Sequence, residues 1–160
     1  MKQIEINIKI GVCQLEELSD NEQALIKTAI EATKNSYAPY SHFSVGAALL
    51  LENGDMVMGA NQENAAYPSG LCAERSAIFA AQSTHPDQPI KALAIAARNG
   101  NGLLMKLPIV PCGACRQVVL EIEDRYKKPV RILLYGTDGI YIINTIKDLL
   151  PLQFIGESMK

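Results

Sequence analysis

The sequence predicts a three-layer α/β/α domain with a mixed central sheet of about five strands, and three observations carry that expectation. Strand-length apolar runs are interleaved with helix-periodic segments along the chain, the order expected when helices cover both faces of a sheet. Asn53-Gly54 lies between two apolar runs, the strongest short-range hairpin signal, so the sheet contains antiparallel neighbours. The run 90–97 lacks period-two alternation, which is how a strand buried on both faces reads.

Taken in order, Ile4, Ile6, Ile8 and Ile10 alternate with polar residues, predicting a half-buried strand over residues 2–10. Residues 1–12 are thus an N-terminal strand extension of a single domain spanning 1–160, and Cys13 beyond them reads as a small buried hydrophobe. Ser19 and Glu22 form a capping box ahead of Ala24, Leu25, Ala29, Ile30 and Ala32, predicting a helix to about Ser36. Strands follow at 43–51 and 56–61, then a loop rich in turn formers at 62–71. Cys72-Ala73-Glu74-Arg75 opens a helix that is apolar nearly all round and therefore buried. After strand 90–97 and loop 98–109, Pro111-Cys112-Gly113-Ala114-Cys115-Arg116 opens another helix, with Cys115, Val118, Val119, Ile122 and Tyr126 on one stripe. Strands 130–135 and 140–143 flank Gly136-Thr137-Asp138-Gly139, and Thr145 caps a short helix that ends before Pro151.

Composition narrows the function. A net charge of −2 gives no general attraction to a phosphate backbone, which argues against a nucleic acid polymer as substrate. The one basic cluster, Arg125, Lys127, Lys128 and Arg131, reads as a solvated helix end favoured by the dipole. No run of roughly 18 apolar residues is present to span a membrane, and residues 1–5 alternate where a signal peptide would be continuously apolar; the expected location is cytoplasmic. Four cysteines, unevenly placed, do not make a disulfide scaffold; in a reducing compartment such cysteines bind metal or catalyse.

Cys112 and Cys115, three apart at a helix start, can aim both sulfurs at one point, and the helix dipole there favours the thiolate form. Cys72 holds the equivalent position on the other helix, so two converging helix starts would assemble three thiolates. Three protein ligands leave a tetrahedral zinc with one open position, the mark of a catalytic site. Cys13, His42 and His85 could close it, but none sits at a paired spacing, and each histidine reads more simply as a loop or surface residue. Glu74, two residues after Cys72, places a proton carrier beside the metal. Three thiolates on a dication sum to −1, which would leave bound water neutral unless a cation offsets it; Arg75 and Arg116 are the candidates, by donating to sulfur.

Further residues carry a family likeness. The segments Tyr37-Ala38-Pro39-Tyr40-Ser41-His42-Phe43-Ser44-Val45-Gly46, Gly59-Ala60-Asn61-Gln62-Glu63-Asn64-Ala65-Ala66-Tyr67, Cys72-Ala73-Glu74-Arg75 and Pro111-Cys112-Gly113-Ala114-Cys115-Arg116-Gln117 resemble the zinc-dependent cytidine deaminases of the small homotetrameric type, over most of residues 37–154. The resemblance implies that Cys72, Cys112 and Cys115 hold zinc and that Glu74 shuttles protons. It implies that Asn61 and Glu63 bond the ribose hydroxyls, Phe43 packs on the nucleoside and Ala73 meets the pyrimidine through its backbone. It implies too that Phe154 is the aromatic lent to a neighbouring subunit's site and that Tyr67 acts across an interface in the same way. The implied reaction is hydrolytic deamination of cytidine and 2'-deoxycytidine in pyrimidine salvage.

The chemistry is consistent with this. Displacing an exocyclic amine needs a strong nucleophile at neutral pH, which zinc-bound water supplies, and a carboxylate that moves a proton to the ring nitrogen and then to ammonia. Rival readings are a deaminase of a cytosine-containing antibiotic nucleoside, a polynucleotide editor, which typically has His where Cys72 stands, and a non-catalytic zinc module, for which Glu74 has no use. Val110 stands where a serine is usual before Pro111, and residues 2–10 and 98–109 exceed the family's usual length.

Overall fold

A computed structural model describes residues 1–160. Its first strand, β1, is only Gly11–Cys13. Ser19 then accepts from the Glu22 backbone N–H while the Glu22 carboxylate accepts from the Ser19 N–H at 3.1 Å, and this reciprocal cap starts α1, Asp20–Ala32. The hairpin foreseen at Asn53-Gly54 forms between β2, Ser44–Leu51, and β3, Met56–Ala60, with Gly54 at φ 92°. Helix α2, Ala73–Thr84, precedes β4, Ile90–Arg98; helix α3, Gly113–Tyr126, precedes the hairpin of β5, Arg131–Gly136, and β6, Gly139–Ile143. Thr145 caps a short 3-10 turn, Ile146–Leu149, by accepting from Lys147 N–H. No helix is long and apolar enough to cross a membrane.

The strands form one sheet in the order β1-β6-β5-β4-β2-β3, with β4 and β5 parallel and every other pair antiparallel. Side chains alternate across it, as a pleated strand requires. Ala48, Leu50, Ala92, Ala94 and Leu133 meet Leu25, Ile26 and Ala29 of α1 on one face. Ala47, Leu49, Leu93, Ile95, Ile132 and Leu134 meet Ala77 and Ile78 of α2 and Val119 and Leu120 of α3 on the other. The α/β/α layering is therefore present, and residues 92–97 are buried throughout, as the unbroken apolar run of β4 implied.

Two expectations are corrected. The sheet has six strands, because β1 adds to the edge of β6. Residues 2–10 are not a strand: Gly11 faces Ile142, one residue short of the end of β6, so Ile4, Ile6 and Ile8 fall beyond the end of that strand with nothing to pair with. Period two marks a chain able to pair, and pairing also needs a neighbour.

Glycine sets how closely α2 approaches the sheet. A Cβ on Gly59 would lie 2.4 Å from the Ala77 nitrogen and 2.7 Å from the Ala73 carbonyl oxygen, so β3 and the first turns of α2 are in backbone contact. The loop 98–109 is tied to the β5–β6 turn, which donates from Thr137 N–H to the Met105 carbonyl and from Asp138 N–H to the Lys106 carbonyl, each at 3.0 Å. Buried Glu123 of α3 accepts from Val130 and Ile146 N–H, both at 2.9 Å, and from the Thr145 hydroxyl at 2.7 Å, fastening the helix to the chain on either side of the last hairpin.

Gly59→Ala is expected to destabilise the protein by about 1–3 kcal/mol through overpacking, read as a lower urea midpoint with unchanged slope. Glu22 provides a pH test. Burial pushes its carboxyl up, but the Ser19 hydroxyl, the Arg131 guanidinium at 2.6 Å and the Ser19 N–H together hold it below the usual carboxylate range. A depressed folded-state pKa contributes stability that is fully present above the unfolded value of about 4.3 and is lost as pH falls through the folded one. Glu22→Gln should cost about 1 kcal/mol at neutral pH and flatten the fall of stability below about pH 4 in acid titrations of unfolding.

Candidate metal centre and adjoining cleft

The loop after β3 is closed by a reciprocal pair, Gln62 N–H to the Leu71 carbonyl at 2.8 Å and Leu71 N–H to the Gln62 carbonyl at 2.9 Å. The chain therefore enters α2 at a fixed angle with Cys72 as the N-cap, its carbonyl accepting from Ser76 N–H at 3.0 Å. Cys112 caps α3 in the same way, accepting from Arg116 N–H at 3.0 Å. Neither cap spends its side chain on a backbone N–H, so both sulfurs stand free at the positive ends of two helices.

The two helix starts converge. Cys72 Sγ is 3.8 Å from Cys112 Sγ, Cys112 Sγ is 3.5 Å from Cys115 Sγ, and all three lie within 4.8 Å of one another. A tetrahedral zinc with bonds of about 2.3 Å holds its sulfurs about 3.8 Å apart, so the donor set fits that ion by element and by spacing. Cys115 is fully buried, Cys72 half-buried and Cys112 exposed, which leaves the cluster open on one side. Cys13, His42 and His85 lie outside the cluster. Cys13 packs beneath α1 and His85 faces Asp55 at 3.6 Å.

The surroundings favour negative sulfur at Cys72. Cys72 is held down to about 5, chiefly by a hydrogen bond from the Cys115 thiol, with burial opposing and Arg75 and Cys112 adding to the effect. Cys115 is pushed up because it is the donor to Cys72, and its burial adds to the shift. Arg75 Nη2 donates to Cys72 Sγ at 3.4 Å, while its buried Nε has no partner. Arg116 is different from what the sequence suggested. Its Nε donates to the Pro111 carbonyl and its Nη1 to the Leu149 carbonyl, both at 2.8 Å, so it braces the approach to Cys112 instead of touching sulfur. One residue is about 100° of helix rotation, and this turns Arg116 away from the point that Cys115 faces.

Glu74 sits in the first turn of α2 and is 5% exposed. Burial pushes its carboxyl up and the neighbouring Cys72 thiolate adds to this; its own N–H, Cys115 and Arg75 pull the other way. A buried carboxyl with a raised pKa beside a metal site can both take and give a proton.

A cleft of about 610 Å³ opens beside the cluster. It brings together Asn61, Glu63, Tyr67, Cys72 and Arg75 from the expected set, with Tyr40, Ser41, Gln62, Asn64, Gly70 and Leu71. Phe43, Ala73 and Phe154 are not on its wall. Phe43 is half-buried beside Asn61, Ala73 is buried at the start of α2, and Phe154 is 59% exposed. The polar groups are already engaged with the chain. Asn61 Oδ1 accepts from Ser36 Oγ at 2.6 Å and Val45 N–H at 2.8 Å, and Nδ2 donates to the Phe43 carbonyl at 2.9 Å, leaving one amide hydrogen. Glu63 accepts from the Ser41 hydroxyl, from Tyr40 N–H at 2.8 Å and from Ser41 N–H at 3.2 Å, which together hold its carboxyl below the usual range. Ser41 and Tyr40 were missed in the sequence. The signal for Ser41 was its place two residues before Phe43, whose N–H it accepts at 3.1 Å. Tyr40 packs edge-on against Tyr67, ring centres 6.1 Å apart.

Comparison with known proteins agrees with this geometry. The model of the family described as "Cytidine and deoxycytidylate deaminase zinc-binding region" matches residues 19–129. A cytidine deaminase of Halalkalibacterium halodurans is 42% identical over 139 residues, 87% of this chain and 98% of that protein. One from Sporosarcina psychrophila is 39% identical over 86% of this chain and 93% of its own. Among solved structures, cytidine deaminase from Burkholderia pseudomallei superimposes with a TM-score of 0.69 at 38% identity, covering 82% of this chain and 97% of that one.

Cys112→Ala is expected to lose bound zinc and to lower the unfolding midpoint, because metal binding at such a site is coupled to folding. Metal analysis of the purified variant that found one zinc per chain would contradict the assignment.

Proposed function

This chain belongs to the cytidine and deoxycytidylate deaminase family, and from that premise we propose that it hydrolyses cytidine and 2'-deoxycytidine to uridine and 2'-deoxyuridine with release of ammonia. The observation that carries the proposal is the three-sulfur cluster at two helix starts with buried Glu74 two residues from Cys72, beside a cleft lined by Asn61 and Glu63. Water replaces the amine at C4: a C–O bond forms, the C–N bond breaks, and the water's protons leave on ammonia and the ring.

Cys72, Cys112 and Cys115 would hold the zinc, which would supply an acidified water as nucleophile, the chemistry of zinc deaminases as a class. The chain's own residues do the rest. Glu74 would carry the proton from the attacking water to the ring nitrogen N3, and later pass a proton to the departing amine. Its buried, raised carboxyl supports that role, since a group ionised far below neutrality would hold protons poorly. Arg75, donating to Cys72, supplies the positive charge that an all-thiolate set requires.

In the same reading, Phe43 packs against the nucleoside, Ala73 meets the pyrimidine through its backbone, and Asn61 and Glu63 bind the ribose hydroxyls. Asn61 has one amide hydrogen to offer, and Glu63 would exchange its Ser41 contact for a ribose hydroxyl. Tyr67 and Phe154, 77% and 59% exposed, are aromatic surfaces suited to a neighbouring subunit, which supports a homotetramer with shared sites. The proposed location is cytoplasmic, and the partner a small nucleoside.

An ultraviolet assay on cytidine, deoxycytidine, cytosine and a cytosine antibiotic nucleoside tests the reading. Turnover of the first two is expected; turnover of the antibiotic alone would overturn it. Glu74→Ala should keep zinc and fold but lose at least about 100-fold in kcat, the scale of one general acid–base group. Undiminished turnover in that variant would remove Glu74 from the mechanism. Light scattering is expected to give the mass of four chains.

A further inference from the structure

Residues 2–10 take no part in the site. Ile4, Ile6, Ile8 and Ile10 are 85%, 51%, 42% and 46% exposed, at alternate positions that share one side whenever the chain is extended. They lead into β1, an edge strand whose only neighbour is β6. The family match starts at residue 19, after this arm.

We propose that the arm is a self-recognition strand, pairing antiparallel with the same arm of a second copy and joining two six-stranded sheets at their β1 edges. An exposed segment with alternating isoleucines and free backbone N–H and C=O groups is a template for another strand. Its charges select a copy of itself. When Asn7 faces Asn7 across a two-fold axis, Glu5 faces Lys9 and Lys9 faces Glu5 on the polar side, while Ile4 faces Ile10 and Ile6 faces Ile8 on the other. A slip of one residue sets isoleucine against polar residues. A slip of two faces Glu5 with Asn7 or with Gly11 and leaves both charges unmatched. One register therefore satisfies both sides, and it is an isologous contact that closes at two arms. A two-stranded ribbon alone is marginal in water; this one is anchored at both ends, where each arm runs into β1 and so onto β6.

Disulfide trapping tests the register on the zinc-loaded full chain in a Cys13→Ser background. Asn7→Cys is expected to give covalent dimers on mild oxidation. Gln3→Cys is not, because it faces residue 11 and its two copies stand about 26 Å apart. In sedimentation velocity, Glu5→Lys should weaken the association that is lost when residues 2–10 are removed, by about tenfold, and adding Lys9→Glu should restore it. Failure of Asn7→Cys to cross-link, equal cross-linking by Gln3→Cys, or a double reversal no better than the single one would each overturn the proposal. So would removal of residues 2–10 with no change in association. An arm folded onto its own chain, or one that captures a different protein, falls under the first of these outcomes.

Discussion

Three sulfurs gathered at the starts of two helices are the constraint from which the rest of the fold can be understood. Thiols brought this close repel once ionised, and only fixed positive charge makes the arrangement tolerable. The chain supplies it from two helix N-termini and one guanidinium, with Cys72 and Cys112 as the caps themselves and Arg75 hydrogen-bonded to Cys72. Much of the remaining architecture serves to bring α2 and α3 to one point and hold them there. The parallel β4–β5 pair sets the two helices on one face of the sheet, and their apolar sides meet over Leu93, Ile95, Ile132 and Leu134.

Close approach has its own requirements. Gly59 lets the first turns of α2 lie directly on β3, and Gly46 does the same for α1 on β2, where a Cβ would come within 2.1 Å of the Ala29 carbonyl oxygen. These contacts fix the depth at which Cys72 and Glu74 are presented. The cleft wall is fixed by a second network, in which Asn61 and Glu63 hold the segment 36–45 by its amides and carbonyls. The groups proposed to meet the ribose are thus also the groups that shape the wall, which limits their motion before any ligand arrives.

What could be read from the sequence was what local geometry decides. Cys112 and Cys115 share a helix turn, and Glu74 follows Cys72 by two, so their grouping needs only helix periodicity. The Ser19–Glu22 cap and the Asn53-Gly54 hairpin are equally local. What was misread, or not read at all, depends on partners in other elements of the fold. Arg116 finds the Leu149 carbonyl, 33 residues on, and Glu123 finds Val130, Thr145 and Ile146; no spacing rule announces either. Residues 2–10 show the reverse case: the pattern of a strand is complete, but the chain ends its sheet before reaching them.

The first turn of α3 does more than carry sulfur. Cys112 and Cys115 belong to the cluster, while Arg116 grips the Leu149 carbonyl and Gln117 grips the Phe154 carbonyl at 2.9 Å. One rigid turn therefore has two clients, the metal on one side and the C-terminal tail on the other. A rotation that shifted Cys115 would drag both anchors with it. The tail and its aromatic ring are consequently mechanical dependants of the metal centre, and the turn works as a crank between the interior of the chain and its surface.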